Sequence, residues 1–230
     1  MKKYDVILWD VDDTLLDFGL SQDYALRFTF EKYGLSIDTQ IIQKYAMINQ
    51  SYWERLERGE ITKEEVLFGR FKSLFEIMNI NNIDVTEFKE IYQKALGNVY
   101  FYRDDSFKLC KELSADFKQY VVTNGVTSTQ LNKLTLSGFD KLMDGIFISE
   151  QIGSPKPSNI FFQKCLEVIS PVSNDRIIII GDSLTSDIKG GNNIGITCCW
   201  YNPLKKENNI QVQIDYEITN LWQVKDFLYG

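Results

Sequence analysis

Residues 4–15 decide the fold, and their sequence is YDVILWDVDDTL. Val6 to Trp9 form a continuous apolar run rather than an alternating one, which predicts a strand buried on both faces of a parallel sheet. The run stops at Asp10, and two more carboxylates follow at Asp12 and Asp13. Ligands of open α/β sheets collect at the carboxyl ends of strands, so this turn is a candidate site. A strand followed by a capped turn would carry the same residues without any chemistry.

Three later stretches also place polar side chains just after an apolar run or at a turn. They are residues 119–125 (QYVVTNG), 153–157 (GSPKP) and 176–187 (RIIIIGDSLTSD). Their candidate functional residues are Thr123, Asn124, Lys156, Asp182 and Asp187. Each candidate follows a predicted strand or precedes a predicted helix, which favours one shared site.

Taken in order, the patterns Asp-x-Asp-x-Thr, Thr-Asn-Gly, Lys-Pro and Gly-Asp-Ser-x-x-x-Asp resemble the four motifs of the haloacid dehalogenase-like (HAD) superfamily. The resemblance extends from about residue 4 to about residue 200. It implies an α/β fold, with a Rossmann-like parallel sheet as its core and an inserted helical cap. It also implies phosphoryl transfer through an aspartyl-phosphate, a known covalent route.

The resemblance implies a catalytic role for three side chains. Asp10 is the implied nucleophile, and Asp12 is the implied acid/base that protonates the leaving oxygen and then activates water. Asp13 is therefore not the acid. Lys156 would neutralise the charge of Asp10 and of the phosphoryl group. Taken alone, Lys156 would be interpreted as a solvated loop lysine, since most lysines lie at the surface.

The remaining motif residues are implied to bind phosphate or metal. Thr123 and the amides near Asn124 would hold phosphate oxygens. Asp10, the backbone carbonyl of Asp12, and Asp182 form a suitable oxygen shell for Mg²⁺. Asp187 either binds the metal directly or contacts the residues that bind it.

Asp12 also separates branches of the superfamily. The dehalogenases that gave the group its name lack a carboxylate at this position, because their leaving group needs no proton. The sequence therefore favours a phosphatase over a dehalogenase. Phosphonate hydrolysis, which needs a cap lysine, stays open; sugar phosphomutase activity is opposed by the absence of histidine.

Composition is that of a globular protein, with 44% hydrophobic and 25% charged residues in a chain of 230. The formal net charge of −7 argues against a nucleic acid polymer as partner, whereas a small phosphorylated substrate needs only a local cation. No apolar stretch approaches about 18 residues, so we expect no membrane partner and a cytoplasmic location. The four cysteines lack C-x-x-C spacing and are expected to be reduced and buried.

Hydrophobic periodicity divides the chain. The sequence predicts a catalytic core in residues 1–16 and 100–230, and a cap of four helices in residues 17–99. Hydrophobic spacing predicts an inward face for each of these helices. In chain order the faces are Tyr24, Ala25 and Phe28; Tyr45, Ile48, Tyr52 and Leu56; Leu67, Phe71, Leu74, Phe75 and Met78; and Phe88, Ile91, Ala95 and Leu96. A capping box at Thr62 should begin the third helix. From residue 105 onward, helices and strands alternate, which predicts right-handed crossovers and a parallel sheet with a C-terminal edge strand and helix.

The insert lies between the first and second motifs, so it resembles the C1 cap that selects the substrate in this superfamily. Residues 48–62 resemble bacterial nucleotidases that act on pyrimidine and non-canonical nucleoside monophosphates. Asn49 and Trp53, one helical turn apart, would contact and stack on a base, and Phe18 is a second aromatic candidate. Trp53 could equally pack between cap helices, as aromatics at helical spacing usually do.

The expected function is therefore that of a Mg²⁺-dependent phosphatase for a nucleoside 5′-monophosphate. Phosphoglycolate or another small metabolite is the alternative substrate. A haloacid dehalogenase, or a HAD-like protein kept as a regulatory module, is disfavoured because Asp10, Asp12, Thr123, Lys156 and Asp182 are all present.

Overall fold

The computed structural model describes residues 2–229 and contains one six-stranded parallel sheet, with strand order β3-β2-β1-β4-β5-β6. The strands are β1 Val6–Trp9, β2 Lys118–Thr123, β3 Gly145–Ile148, β4 Ile177–Gly181, β5 Thr197–Tyr201 and β6 Tyr216–Ile218. The predicted α/β class is confirmed.

β1 lies near the centre of the sheet, between β2 and β4. Val6 is opposite Lys118 on one side and Ile177 on the other. All four residues of β1 are buried, because side chains cover both faces of the sheet. Trp9 is opposite Val121 and Ile180, so the three central strands end within two residues of one another at the same edge of the sheet.

Helices connect the strands. They are α5 Ser106–Leu113, α6 Thr127–Ser137, α7 Phe139–Leu142, α8 Ser149–Ile152, α9 Asn159–Ile169, α10 Lys189–Ile194 and α11 Lys225–Leu228. Apolar side chains of α9, among them Phe161 and Phe162, pack with Val6, Leu8 and Ile179 in one buried cluster.

The contacts divide the chain into two compact units, residues 1–17 with 101–230 and residues 18–100. The second unit contains α1 Phe18–Lys32, α2 Thr39–Glu57, α3 Lys63–Met78 and α4 Val85–Gly97. The capping box predicted at Thr62 is confirmed, since its side chain accepts from the Glu65 amide and the Glu65 side chain accepts from the Thr62 amide. We call this second part of the chain the helical unit.

The inward face predicted for α1 is partly wrong. Tyr24 is 47% exposed and stacks on Phe28, whereas Leu26 and Phe30 are buried with Ala25. The ring of Phe30 lies edge-on to Phe88, with centroids 4.9 Å apart. Contact with α4 therefore sets the rotation of this helix. Periodicity alone does not show which of two neighbouring apolar faces, that of Phe28 or that of Phe30, is buried.

Most residues predicted to face inward from α3 and α4 are buried, among them Phe71, Leu74 and Phe88, but one position in each helix differs from expectation. Val66 is buried in α3 while Leu67 is only partly buried, and Tyr92 is buried in α4 in place of Ile91. The ring of Tyr92 lies 5.0 Å from that of Phe71, centroid to centroid. Aromatic packing at the centre of the bundle decides these faces.

The helix predicted after β4 begins as a π-helical turn, Leu184–Ile188, before α10. π-helical turns are rare and occur often at functional sites. The predicted C-terminal helix is also divided, into a 3₁₀ turn at Leu221–Val224 and the short α11.

The four cysteines are free and buried, as the sequence predicts. Burial raises the pKa of Cys165 to about 12, so this thiol stays protonated. In residues 2–229, none of the helices combines the length and the apolar character that crossing a membrane requires.

Candidate active site

Lys156 joins the ends of two strands at the carboxyl edge of the sheet. Its Nζ lies 2.7 Å from Oδ1 of Asp10, 2.7 Å from Oδ1 of Asp187 and 2.8 Å from the carbonyl oxygen of Val122. The side chain is 1% exposed. The interpretation of Lys156 as a solvated loop lysine is therefore wrong.

Asn124 fixes the position of Lys156. Its Nδ2 donates to the Lys156 carbonyl at 3.0 Å, and its Oδ1 accepts from the Lys156 amide at 2.8 Å. The amide side chain thus holds the Lys-Pro loop instead of pointing at a ligand. Thr123 is 2% exposed, and its Oγ1 accepts from the Gly125 amide at 3.1 Å.

Asp187 reaches back to the strand end because residue 181 is glycine. A Cβ at Gly181 would lie 2.3 Å from Oδ2 of Asp187, so any side chain there would displace the carboxylate. The Ser183 amide donates to the same Oδ2 at 3.2 Å. The π-helical turn therefore points Asp187, which is fully buried, at Lys156.

Asp182 is held through its own backbone. Its amide donates to Oγ1 of Thr14 at 3.1 Å, and its carbonyl accepts from the Trp200 indole at 2.9 Å. Carboxylate oxygens of Asp10, Asp182 and Asp187 all lie within 4.8 Å of one another. Three predicted metal ligands are thus brought together.

The negative charge of these three carboxylates exceeds the positive charge of the ammonium group that contacts them. Burial raises the pKa of Asp10 to about 8; Lys156 opposes this rise and Asp187 adds to it. The pKa of Asp182 is also raised well above its ordinary value, by burial and then by Asp13 and Asp10. Burial lowers the pKa of Lys156, but the two carboxylates beside it prevail and keep it cationic. One ammonium does not balance three carboxylates, so the donor set fits a divalent, oxygen-preferring cation such as Mg²⁺.

Asp12 contacts two residues of α6 that the sequence analysis did not single out. Nζ of Lys133 lies 2.7 Å from Oδ1 of Asp12, and Nε2 of Gln130 lies 2.5 Å from Oδ2. Both partners are buried, with Lys133 0% and Gln130 1% exposed. The sequence does carry a signal for this contact. Gln130 and Lys133 are three residues apart on a predicted helix just after Thr-Asn-Gly, and residues at this spacing share a helix face.

Asp13 points to a different partner. Its Oδ1 accepts from Nη2 of Arg103 at 2.6 Å, and the same nitrogen lies 3.3 Å from Asp17. Burial raises the pKa of Asp13 despite the opposing effect of Arg103. The backbone φ of 63° at Asp13 turns the chain sharply, and this turn separates the Asp13 carboxylate from that of Asp12.

Asn49 is buried within the helical unit. It is 4% exposed, and its Oδ1 accepts from Nη1 of Arg70 at 2.6 Å. Arg70 is itself 1% exposed, and its guanidinium lies 5.3 Å from the centroid of the Tyr92 ring. The carbonyl oxygen of Asn49 therefore stabilises a buried arginine.

The two aromatic candidates have different surroundings. Phe18 is partly buried and packs against the hydrophobic cluster of the helical unit. Trp53 is half-buried, and Nζ of Lys63 lies 5.9 Å from the centroid of its ring. Among the described residues, Trp53 does not belong to that cluster.

Comparison with known proteins identifies the family. A family model described as haloacid dehalogenase-like hydrolase matches residues 7–201. The chain is 37% identical over 228 residues to the HAD-hydrolase YfnB of Bacillus subtilis, covering 99% of this chain and 97% of that protein. It is 34% identical over 226 residues to the pyrimidine 5′-nucleotidase PynA of Streptococcus pneumoniae, covering 98% and 95%.

A solved structure of Bacillus subtilis YfnB, described as bound to magnesium and as revealing interdomain movement, superimposes with a TM-score of 0.92 at 36% identity. The superposition covers 99% of both chains. The sequence motifs and the sheet topology agree with these matches. This chain therefore belongs to the haloacid dehalogenase-like hydrolase family.

Proposed function

We propose that the protein is a Mg²⁺-dependent phosphatase that hydrolyses a nucleoside 5′-monophosphate through an aspartyl-phosphate. The observation that carries this proposal is the contact of the buried Lys156 with Asp10 and Asp187, with a carboxylate oxygen of Asp182 within 4.8 Å of theirs. A separate carboxylate, that of Asp12, lies two residues along the chain from Asp10. Phosphoryl transfer needs a nucleophile, charge neutralisation and a proton donor, and this edge of the sheet supplies each.

In the first step, a carboxylate oxygen of Asp10 forms a bond to phosphorus while the bond between phosphorus and the ester oxygen breaks. Asp12 gives its proton to the departing oxygen, so the alcohol leaves neutral. In the second step, Asp12 takes a proton from water, whose oxygen bonds to phosphorus. The bond to Asp10 then breaks, which restores the carboxylate and releases inorganic phosphate.

Lys156 supports both steps electrostatically. Its ammonium group contacts Asp10 directly and would neutralise charge on the phosphoryl oxygens. Thr123, at the end of β2, would hold one of those oxygens with its hydroxyl. Asp13 takes no part in proton transfer, since Arg103 and Asp17 occupy its surroundings.

Asp10, the Asp12 carbonyl, Asp182 and Asp187 would hold Mg²⁺, with Asp187 as a direct ligand or behind the ligands. The bound ion supplies charge neutralisation to the phosphoryl group. Without it, like-charge repulsion and burial favour protonated carboxylates, as the raised pKa of Asp10 indicates.

We also propose that residues 17–99 act as the substrate-selecting cap and that residues 1–16 and 100–230 form the catalytic core. Two relatives support a nucleotide substrate, namely PynA of Streptococcus pneumoniae and YjjG of Escherichia coli, which is 28% identical over 233 residues and is also a pyrimidine 5′-nucleotidase. Trp53 is the preferred base-stacking residue because it lies outside the hydrophobic cluster of the helical unit. Asn49 would contact a base only through its amide nitrogen, since its oxygen accepts from Arg70.

A phosphate-release screen tests this proposal. Nucleoside monophosphates, sugar phosphates and phosphoglycolate are compared at equal concentration with Mg²⁺, using kcat/KM as the measure. Preference for pyrimidine monophosphates supports the nucleotidase assignment, and preference for phosphoglycolate or a sugar phosphate replaces it by the small-metabolite alternative. Failure to release phosphate from any of them contradicts the phosphatase assignment.

A further inference from the structure

We propose that Gln130 and Lys133 are positioning residues that orient the carboxylate of Asp12 for proton transfer. The inference rests on the proposed phosphatase function, and it assigns a role to two residues outside the four motifs. Each donates to a different oxygen of Asp12, at 2.5 Å for Gln130 and 2.7 Å for Lys133. Two donors on two oxygens fix both the direction and the plane of a carboxylate.

The arrangement is built from two segments far apart in sequence. Asp12 follows β1, while its two donors come from the first turns of α6, 118 and 121 residues later. Gly125, in the turn before α6, makes room for the amide of Gln130. A Cβ at position 125 would lie 2.1 Å from Nε2 of Gln130. The glycine of the Thr-Asn-Gly pattern is thus required for the approach of Gln130 to Asp12.

Burial makes Lys133 an unusual residue at this position. Its side chain is fully buried, and an ammonium group is costly to bury unless it is paired. Replacing a buried ion pair by apolar residues is often neutral or stabilising, so stability alone is a weak reason to keep the lysine. An oriented carboxylate is a stronger reason, because proton transfer requires hydrogen-bond geometry with the departing oxygen.

Gln130 supports the same interpretation. Its Nε2 makes its described side-chain hydrogen bond to Asp12, while Oε1 is buried and makes no hydrogen bond within residues 2–229. A glutamine that served packing or helix stability would be expected to use both amide atoms, since an unsatisfied buried acceptor is destabilising. The described hydrogen bond of the Gln130 side chain is thus the one to the Asp12 carboxylate, which fits a positioning role.

The dependence of kcat/KM on the basicity of the leaving group tests whether Gln130 and Lys133 orient Asp12 or only stabilise the fold. A leaving group of low basicity, such as para-nitrophenolate, departs readily without protonation. Phenolate and para-methoxyphenolate are more basic, so their departure depends more strongly on a proton donor. The ratio of kcat/KM between variant and wild type is therefore measured along a series of aryl phosphates of similar size. The quantity kcat/KM reports the steps up to the first irreversible one, which includes departure of the leaving group.

We expect Lys133→Met and Gln130→Met to lower kcat/KM progressively as the leaving group becomes more basic. The loss should reach about 10²-fold for the most basic ester, the scale of a misplaced catalytic group, and should be smaller for para-nitrophenyl phosphate. Asp12→Asn provides the reference, with a steeper dependence of the same sign. Lys118→Met, which removes an exposed 2.7 Å ion pair with Asp144, is the matched control and should show no dependence.

Thermal unfolding confirms that each variant is folded, and Gln130→Met, which removes no charge, provides the test if Lys133→Met does not fold. An equal loss along the whole series, or no loss for the most basic ester, would overturn the positioning role. If wild-type protein releases no phosphate from any ester, the phosphatase proposal itself fails, and that outcome is distinct from a flat variant profile.

Discussion

Nζ of Lys156 lies 2.7 Å from Oδ1 of Asp10, although 146 residues separate the two in the chain. The same nitrogen lies 2.7 Å from Oδ1 of Asp187. One buried cation therefore bridges two carboxylates from different strand ends. Because the three groups are buried and hydrogen-bonded together, changing any one alters the electrostatic environment of the others.

Asp10→Asn is expected to abolish phosphate release, because the amide lacks the anionic oxygen that attacks phosphorus. The side chain keeps its shape, so circular dichroism and the melting temperature should stay close to those of wild type. Asp175→Asn removes an exposed carboxylate and serves as the control. Substantial turnover by a folded Asp10→Asn protein would exclude the covalent mechanism.

Removal of divalent cations with EDTA is expected to stop turnover, and Mg²⁺ should restore it. Calcium should bind but support little activity, since its larger and looser shell misplaces nucleophile and phosphate. Mg²⁺ should also raise the melting temperature of the metal-free protein, because a ligand that binds only the folded state stabilises it. Asp182→Asn should reduce that increase. Full activity after exhaustive chelation is the contrary result.

Trp53→Ala is expected to lower kcat/KM for pyrimidine monophosphates by the equivalent of about 1–3 kcal/mol, the scale of a lost aromatic stack on a base. Small generic esters should be spared, since they present no base. Met47→Ala, at a 74% exposed position of the same helix, is the control. An equal loss for both substrate classes would indicate that Trp53 only packs within the helical unit.

Asn49→Leu is expected to destabilise the protein by about 1–3 kcal/mol, because Nη1 of the buried Arg70 loses its acceptor. Gln50→Leu, at the adjacent exposed position, should have a much smaller effect. Chemical denaturation followed by fluorescence measures both. If Asn49→Leu changes substrate preference without changing the free energy of unfolding, the residue acts on the substrate rather than on Arg70.

The ion pair between Asp5 and Arg176 gives a pH-dependent prediction. The hydrogen bond from Arg176 lowers the pKa of Asp5 from 3.8 to about 2. A carboxylate whose pKa is lower in the folded state contributes stability that is present above 3.8 and is lost as the pH falls through about 2.

Arg176→Gln should therefore reduce the free energy of unfolding at neutral pH, and its difference from wild type should shrink as the solution is acidified. Because both side chains are about one-third exposed, the effect should be small and weaker at high salt. A difference that grows on acidification would contradict this sign.

From the sequence alone, one could predict the sheet and the edge of it at which the candidate site residues gather. Apolar runs that end in polar residues specify parallel strands, and parallel strands bring their carboxyl ends to one edge. Asp10, Lys156, Asp182 and Asp187 could therefore be assigned to one site without coordinates. Local signals also determined the Thr62 capping box, because both of its partners lie within one helical turn.

Which side chains contact and orient the candidate site residues depends on packing between distant segments. The contacts of Gln130 and Lys133 with Asp12, and of Asn49 with Arg70, depend on how helices rotate and pack, which periodicity fixes only to within a residue. The rotation of α1 shows the same limit, since Phe30 rather than Phe28 is buried. Sequence spacing determines which residues share a face, whereas close packing against distant segments determines what that face contacts.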